Sequence, residues 1–191
     1  MDFTTAITDY IERMTAVAKR LDTAEINRFL NTLLAARDAG HRIYIMGNGG
    51  SGATASHMMG DLNKGLSYQK PEGKRFRAVC LNDNGATVLA LANDVSYDDV
   101  FVEQLKNFLE PGDIVLGISG SGNSENVLRA ARYAKSHGNT VIGFTGYSGG
   151  VLASLCDVHL HVPANDMQIT EDLHMMLVHL TYSVLAAKGS F

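Results

Sequence analysis

The stretch RIYIMGNGGSGATASHMMGD, residues 42–61, decides the fold because its character changes twice along its length. It opens with an apolar, β-branched run at 42–47, passes through the glycine-rich loop GNGGS at 47–51, and enters a helical segment at 52–64. A short apolar run that ends in glycine predicts a buried strand, and the small residues after it suit a backbone that closely approaches something else. Strand, glycine loop and helix in this order predict the first half of a β–α–β unit.

The same alternation continues along the rest of the chain. Further strands are predicted at 76–82, 112–119, 139–146 and 157–163, and helical segments at about 85–108 with breaks, 123–137, 149–155 and 166–187. Strands that alternate with helices imply right-handed crossovers and helices on both faces of the sheet. The sequence therefore predicts an α/β fold: a three-layer α/β/α sandwich around a five-stranded, mainly parallel sheet, with one long polar loop at 65–75.

Two helices precede the first strand. Apolar residues recur at helical spacing from Ile7 to Ala18, and a second helix has Asp22 or Thr23 as its cap and ends at Gly40. We expect one domain over 1–191, with an N-terminal helical pair at 1–40 and an α/β core at 41–191. One face of the pair is apolar enough to be a subunit interface, although the same face could instead cover the sheet.

Composition excludes several classes of function. The chain has 191 residues and a net charge of −4, and it contains no basic run that could neutralise the phosphates of a duplex. No apolar run approaches the ~20 residues of a membrane span, and the N-terminus lacks a signal-peptide core. Cys80 and Cys156 are far apart in apolar contexts and predict two reduced, buried thiols. We expect a soluble, cytoplasmic protein that binds neither nucleic acid nor membrane.

Two serine- and glycine-rich loops follow predicted strands, GNGGS at 47–51 and SGSGNS at 119–124. Ligands of open α/β sheets bind at the carboxyl ends of the strands. Serine hydroxyls, free backbone N–H groups and a helix N-terminus together can bind a phosphate without a lysine. The alternative for 119–124 is a flexible turn with Ser124 as a helix cap.

A nucleotide cofactor is not expected at these loops. Gly47, Gly49 and Gly52 match the spacing of the dinucleotide fingerprint, but no acidic residue ends a second strand about 20 residues later. The Gly-Lys-Ser/Thr of a phosphate-binding P-loop is also missing.

Histidines and carboxylates form the second chemical feature. His57 and Asp61 are four residues apart and share a helix face. At ~100° per residue, Gln168, Glu171 and His179 share a broad face of the otherwise apolar last helix. A lone histidine in such a helix is more often a satisfied core residue, and a lone acidic residue is more often a cap or a solvated position. Together, however, two imidazoles and two carboxylates make a good ligand set for zinc, namely His57, Asp61, Glu171 and His179.

Four motifs carry a resemblance to a known family: GNGGS, the His-x-x-x-acid pair that follows it, GISGSGNSENV, and the terminal EDLHMMLVH. Over nearly the whole chain the sequence resembles the sugar isomerase (SIS) domain family, and within it the phosphoheptose isomerases. The resemblance implies an aldose–ketose isomerase that interconverts sedoheptulose 7-phosphate and D-glycero-D-manno-heptose 7-phosphate through an enediol. It also implies a homotetramer whose pockets are built from neighbouring subunits.

The resemblance assigns roles to residues of this sequence. Asp61 and His179 match the catalytic acid–base pair, and the metal-bound members imply one Zn²⁺ per site on His57, Asp61, Glu171 and His179. The implied substrate site consists of Asn48, Gly49, Ser51, Asp83, Ser119, Ser121, Ser124, Gln168 and Glu171.

Three positions depart from the family pattern. Asp61 stands where the family has glutamate, Glu171 where it has glutamine, and Gly120 where threonine is common. The extra carboxylate of Glu171 favours a divalent cation, because an unpaired buried charge is costly.

Two rival readings remain open from the sequence. The first is a non-catalytic SIS module that binds a phosphosugar as a regulatory signal, of the type associated with replication initiation. The second is an isomerase for a sugar phosphate of different chain length. The acid–base pair at positions 61 and 179 favours an enzyme, because a binding module has no need of it.

Overall fold

Five parallel strands form the centre of the protein. The structure, a computed structural model, describes residues 1–68 and 73–187, so the predicted polar loop at 65–75 lies partly outside the described residues. The strands are β1 Arg42–Gly47, β2 Arg77–Cys80, β3 Ile114–Ser119, β4 Thr140–Thr145 and β5 Val158–His161. Their order in the sheet is β2-β1-β3-β4-β5, and every neighbouring pair is parallel. The prediction of a mainly parallel five-stranded sheet is confirmed.

Helices cover both faces of this sheet. They are α1 Thr4–Ala18, α2 Thr23–Ala39, α3 Gly50–Gly60, α4 Gly85–Asp94, α5 Val102–Phe108, α6 Glu125–Ser136, α7 Gly150–Leu155 and α8 Met167–Ala187. The predicted breaks within 85–108 correspond to a 3₁₀ turn, Tyr97–Asp99, between α4 and α5. The predicted helix at 52–64 begins two residues earlier and passes at Asp61 into a π-helical turn, Asp61–Gly65. Such turns are frequent at functional sites.

Alternate residues of the strands feed two separate cores. Ile43 and Ile45 pack with α2, α3 and α8, whereas Tyr44 and Met46 pack with α5, α6 and α7. A sheet buried on both faces requires apolar residues at every position, because successive side chains point to opposite faces. This explains why the strands appear in the sequence as continuous apolar runs.

The two N-terminal helices differ in how far they are buried. Asp22 caps α2 by accepting from the amides of Ala24 and Glu25, and Gly40 ends the helix in the left-handed region at φ 76°. α2 covers the sheet with Phe29 and Leu33, both fully buried. α1, by contrast, has no buried residue, so the sheet is covered by the second helix and not by the first.

α1 packs on the body of the protein with partly buried side chains of its C-terminal half, among them Met14 and Val17, and it also makes polar contacts to α8. The Tyr10 hydroxyl donates to Asp172 Oδ2 at 2.5 Å, and Arg13 Nη1 bonds Asp166 Oδ2 at 2.9 Å. Three large apolar side chains at the N-terminal end of this helix are more than half exposed, namely Phe3, Ile7 and Ile11. Ile7 and Ile11 continue the apolar stripe of Met14 and Ala18, which are partly buried. In addition, none of the helices within 1–68 and 73–187 is long and apolar enough to cross a membrane.

Candidate active site

The two serine–glycine loops meet where the strand order reverses. From β1 the chain crosses to β2 on one side, and β3 lies on the other side of β1, so the carboxyl ends of β1 and β3 are adjacent. This topological switch point opens a crevice, and ligands of open α/β sheets bind in such a crevice. α3 begins directly after the first loop and α6 directly after the second.

Both helices present open N-termini to this crevice. Within the described residues, no acceptor is bonded to the backbone amides of Gly50 and Ser51 in α3 or of Glu125 and Asn126 in α6. Unpaired amides and the positive end of the helix dipole favour an anion. We call this arrangement of loops 47–51 and 119–124 with the first turns of α3 and α6 the anion cradle.

Serine hydroxyls line the second loop of the anion cradle. Ser119 Oγ donates to Ser124 Oγ at 3.1 Å, and the Ser124 side chain makes no cap hydrogen bond to α6. Ser121 Oγ accepts from the amide of Asn123 at 3.2 Å, and Ser51 lies almost fully buried in the first turn of α3. The Ser124 hydroxyl therefore does not act as a helix cap; it accepts a hydrogen bond from Ser119 instead.

The first loop is tight because its glycines lack side chains. A Cβ on Gly47 would lie 2.7 Å from the backbone of Ser51, so α3 can start this close to β1 only from glycine. Gly49 has φ 54° and ψ −123°, a conformation that side chains disfavour. The turn is held by Asn82, two residues after β2, whose side chain accepts from the Gly47 amide at 3.2 Å and donates to the Gly47 carbonyl at 2.7 Å.

A second group of side chains lies on the same helix, further from the loops. His57 Nε2 is 3.1 Å from His179 Nε2 and 3.5 Å from Asp61 Oδ2. One ligand atom from each of the three residues lies within 4.8 Å of the other two. The group is open to solvent, since the side chain of His57 is 46% exposed. We call it the histidine cluster.

The donor set of the histidine cluster fits a divalent metal ion. Two imidazole nitrogens and a carboxylate oxygen are the ligands of many zinc sites, with a further position left for water or substrate. The predicted fourth ligand, Glu171, does not belong to this group. The helical wheel placed Glu171 near His179 by rotation alone, but eight residues of helix also separate the two by about 12 Å along the axis.

Glu171 instead lies at the first turn of α3. A Cβ on Gly50 would meet both carboxylate oxygens of Glu171, at 2.2 and 3.0 Å. The carboxylate thus occupies the space beside the open amides of α3, where the helix dipole favours negative charge. Glu171 therefore borders the anion cradle at the start of α3.

α3 and α8 run side by side in the same direction and join the two groups. Glu171 meets Gly50, His179 meets His57, and further on Tyr182 packs against Gly65. Seven residues of α3 separate Gly50 from His57, which is about 10 Å along the helix. The anion cradle and the histidine cluster are therefore two ends of one surface.

Two predicted substrate residues have exposed side chains. Asp83 is exposed beyond the end of β2 and borders a groove with Met59 and Val79. Gln168 is exposed in the first turn of α8. Within the described chain, neither side chain is hydrogen-bonded to the cradle or to the cluster.

Gly120 has a structural reason for its departure from the family pattern. A Cβ at Gly120 would lie 2.6 Å from the sulfur of Met167, so Met167 fills the space that a threonine side chain would need. The lost hydroxyl is not replaced, because a thioether sulfur is only a weak acceptor.

His174 behaves as a core residue. Its side chain is almost fully buried, with Nε2 3.2 Å from the carbonyl of Thr145 and Nδ1 unpaired within the described residues. Burial lowers the pKa of His174 from 6.5 to about 4, so the ring is neutral near pH 7.

Asparagine side chains join the two loops of the anion cradle, which the sequence analysis does not predict. Asn48 was predicted as a substrate residue, but its side chain is bonded to the side chain of Asn126 and to the hydroxyl of Tyr97. Asn126, Asn82 and Tyr97 were not predicted. An asparagine beside a glycine loop is the only local pattern that could have pointed to Asn82 or Asn126.

Known proteins match the chain over most of its length. The SIS domain family profile matches residues 7–146. The chain is 34% identical over 179 residues to the probable phosphoheptose isomerase of Thermoplasma acidophilum, covering 94% of this chain and 97% of that protein. It is 40% identical over 147 residues to the phosphoheptose isomerase of Mycobacterium tuberculosis, covering 77% and 74%. A solved phosphoheptose isomerase structure from Francisella tularensis matches with TM-score 0.88 and 27% identity, covering 97% and 98%. The likeness therefore extends over both N-terminal helices, the sheet and α8.

Proposed function

The chain belongs to the SIS domain family, and from that premise we propose that it is an aldose–ketose isomerase acting on a phosphorylated heptose. The proposed reaction converts sedoheptulose 7-phosphate to D-glycero-D-manno-heptose 7-phosphate. The observation that carries the proposal is the pairing of an anion cradle with a histidine–carboxylate cluster about 10 Å away along one helix. An extended seven-carbon sugar phosphate is about this long.

The anion cradle would hold the phosphate and contribute position more than chemistry. Open amides at two helix N-termini and the hydroxyls of Ser51, Ser119, Ser121 and Ser124 provide donors for phosphate oxygens. The sugar then lies along α3 toward His57. Holding the substrate at one end lowers the entropic cost of placing its other end at the reacting groups.

The histidine cluster would move the protons. Asp61 takes a proton from C1 of the ketose, the electron pair forms the C1–C2 double bond of an enediol, and the same carboxyl group returns the proton to C2. His179 donates a proton to the C2 oxygen and accepts one from the C1 oxygen, so atoms and charges balance. His57 lies 3.1 Å from His179 Nε2 and orients that ring.

We further propose one Zn²⁺ per site, held by His57, Asp61 and His179. Such an ion would supply Lewis-acid polarisation of the substrate carbonyl. A metal bound by Asp61 and His179 competes with their use as base and acid, so the two uses exclude each other at any one moment. Elemental analysis of protein purified without added metal tests the assignment: about one zinc per chain supports it, and none even after zinc addition contradicts it.

Association into a homotetramer is also part of the proposal. Phe3, which precedes α1, and Ile7 and Ile11 within it are each more than half exposed in the described part of the single chain. The histidine cluster is open to solvent in that chain, whereas proton transfer through an enediol benefits from exclusion of water. A neighbouring subunit packed on α1, which borders α8, would enclose it.

A cytoplasmic location is consistent with the two thiols. Cys80 and Cys156 are both free, and burial raises the pKa of each to about 12. Neither thiol is therefore a reactive thiolate near pH 7. Free, unreactive cysteines fit a reducing compartment.

The test of the proposed function is direct conversion of sedoheptulose 7-phosphate, followed by aldose formation. We expect turnover by the wild type and a loss of about 10²–10⁴ in kcat for Asp61→Asn and for His179→Asn, the usual range for a general acid or base. A C5 and a C6 ketose phosphate in the same assay test the length of the sugar. Binding of the sugar phosphate without turnover would instead support the non-catalytic module.

A further inference from the structure

Two asparagines tie the halves of the anion cradle together. Asn48 Nδ2 donates to Asn126 Oδ1 at 2.9 Å, and Asn126 Nδ2 donates back to Asn48 Oδ1 at 3.0 Å. Asn126 is 2% exposed, and its Oδ1 also accepts from the amide of Val127. The pair therefore joins the loop after β1 to the first turn of α6 through two reciprocal, partly buried hydrogen bonds.

A tyrosine from a third element joins this pair. The Tyr97 hydroxyl donates to Asn48 Oδ1 at 2.8 Å. Tyr97 begins the 3₁₀ turn, and Arg129 of α6 holds that turn from the other side, with Nη1 2.9 and 2.8 Å from the two carboxylate oxygens of Asp99. Asn126 and Arg129 are one helical turn apart on α6. α6 is therefore bonded to the first loop through Asn126 and to the 3₁₀ turn through Arg129, and Tyr97 bonds that turn to the first loop.

The ring of Tyr97 contributes little to the packing of the protein. It is 54% exposed, so it adds little to the core, and its hydroxyl contacts a residue of the cradle. Without the hydroxyl, Asn48 would keep its bonds to Asn126 and the fold would keep its core. The first loop would, however, lose one of the three side chains that hydrogen-bond to it, the other two being Asn82 and Asn126.

We propose that Asn48, Asn126 and Tyr97 form a clamp that fixes the open amides of α3 relative to those of α6, and that Tyr97 is a positioning residue for the phosphate. The inference rests on the proposed function, because it refines how the same cradle binds its substrate. An anion that takes donors from both helices is bound tightly only when their separation is set in advance, since otherwise binding must first order the loop.

The test is Tyr97→Phe, which removes only the hydroxyl. We expect the dissociation constant of inorganic phosphate, measured by calorimetric titration, to rise about fivefold, the effect of one hydrogen bond. KM for the sugar phosphate should rise by the same factor while kcat stays within about twofold, because the clamp touches no reacting atom. Asn126→Asp, which places an acceptor against Asn48 Oδ1, should weaken phosphate binding further.

Tyr133→Phe is the matched control. Tyr133 lies on α6, and its hydroxyl has no hydrogen bond within the described ranges, so its removal should leave phosphate binding unchanged. Phosphate binding by Tyr97→Phe as tight as that of the wild type overturns the clamp, even if thermal stability falls. A wild type that binds no phosphate also overturns it. A wild type that binds phosphate without isomerising the sugar defeats the proposed function alone, and the titration still decides on the clamp.

Discussion

At the scale of single residues, environment decides what each histidine does. His57 and His179 are exposed and face each other and Asp61, whereas His174, five residues before His179 on the same helix, is buried against the carbonyl of Thr145. A five-residue step rotates the side chain by about 140°, from the α3 side of α8 into the core. α8 thus carries a core histidine, His174, and a site histidine, His179, on different faces.

The buried His174 makes stability depend on pH. Its pKa is about 4 in the folded protein and 6.5 unperturbed, so between these values only the unfolded state binds the proton. The stability that the neutral ring contributes is full above pH 6.5 and is lost as pH falls toward 4, by about 3 kcal/mol. Burial also lowers the pKa of His159 and His161, which adds in the same direction.

Urea unfolding at pH 7, 5.5 and 4.5 measures this loss. His174→Gln should unfold with a shallower pH dependence than the wild type, because the titrating ring is gone. His137→Gln removes an exposed histidine and should keep the wild-type slope. Equal slopes for all three proteins would show that the ring of His174 is not the group responsible.

At the scale of elements, loops shape the site and helices aim its side chains. The second loop of the anion cradle, 119–124, packs against the turn before α7. A Cβ on Gly122 would lie 2.0 Å from the carbonyl oxygen of Gly149 in that turn. Gly122 has φ 68°, and Gly138, at the end of α6, has φ 74° with nothing within 4 Å of a Cβ. The two glycines share a backbone conformation and differ in their surroundings.

Alanine substitutions at Gly122 and Gly138 distinguish the cost of a positive φ from the cost of steric contact with a neighbouring turn. Gly138→Ala should cost about 1–2 kcal/mol of unfolding free energy, the penalty for a left-handed residue with a Cβ. Gly122→Ala should cost a further ~1–3 kcal/mol because the neighbouring turn must move, and it should also weaken phosphate binding. Chemical denaturation of both variants gives the difference. An equal cost for both would contradict the close approach of the two loops.

What the sequence could predict follows from how local each signal is. The strands and both cradle loops were predictable, because an apolar run and a glycine–serine cluster are contiguous in the chain. The His57–Asp61 approach was predictable from a four-residue spacing. Glu171 lies outside the group of His57, Asp61 and His179 in the single chain, because a helical wheel counts rotation and omits the rise along the axis. Its role as a metal ligand stays a prediction. The Asn48–Asn126 pair was missed because it joins residues 78 apart, which leaves no local pattern.

At the scale of the whole molecule, the proposed homotetramer rests on the exposure of α1. α1 has no buried residue, and an isolated helix of its length is marginal in water unless an apolar face is covered. Its exposed Ile7 and Ile11 lie four residues apart on one face. A second copy of the chain on this face would bury both.

Charges on that face should therefore break the assembly. The double variant Ile7→Asp, Ile11→Asp should lower the molar mass measured by light scattering from that of a tetramer to a smaller species. Thr5→Asp, on the opposite side of α1, should leave the mass unchanged. If the wild type is already a monomer, or if the double variant keeps the full mass, α1 is not the interface.

The central claim is that one sugar phosphate spans the anion cradle and the histidine cluster, with its phosphate at one end and the reacting carbons at the other. Two measurements test the two ends independently. Solvent deuterium incorporation into sedoheptulose 7-phosphate, followed by NMR, reports on the reacting carbons, and titration with inorganic phosphate reports on the anion cradle. The account predicts deuterium at C1 with the wild type, and with Asp61→Asn an exchange rate lowered by about 10²-fold or more while phosphate affinity is retained. Undiminished exchange in Asp61→Asn would contradict it.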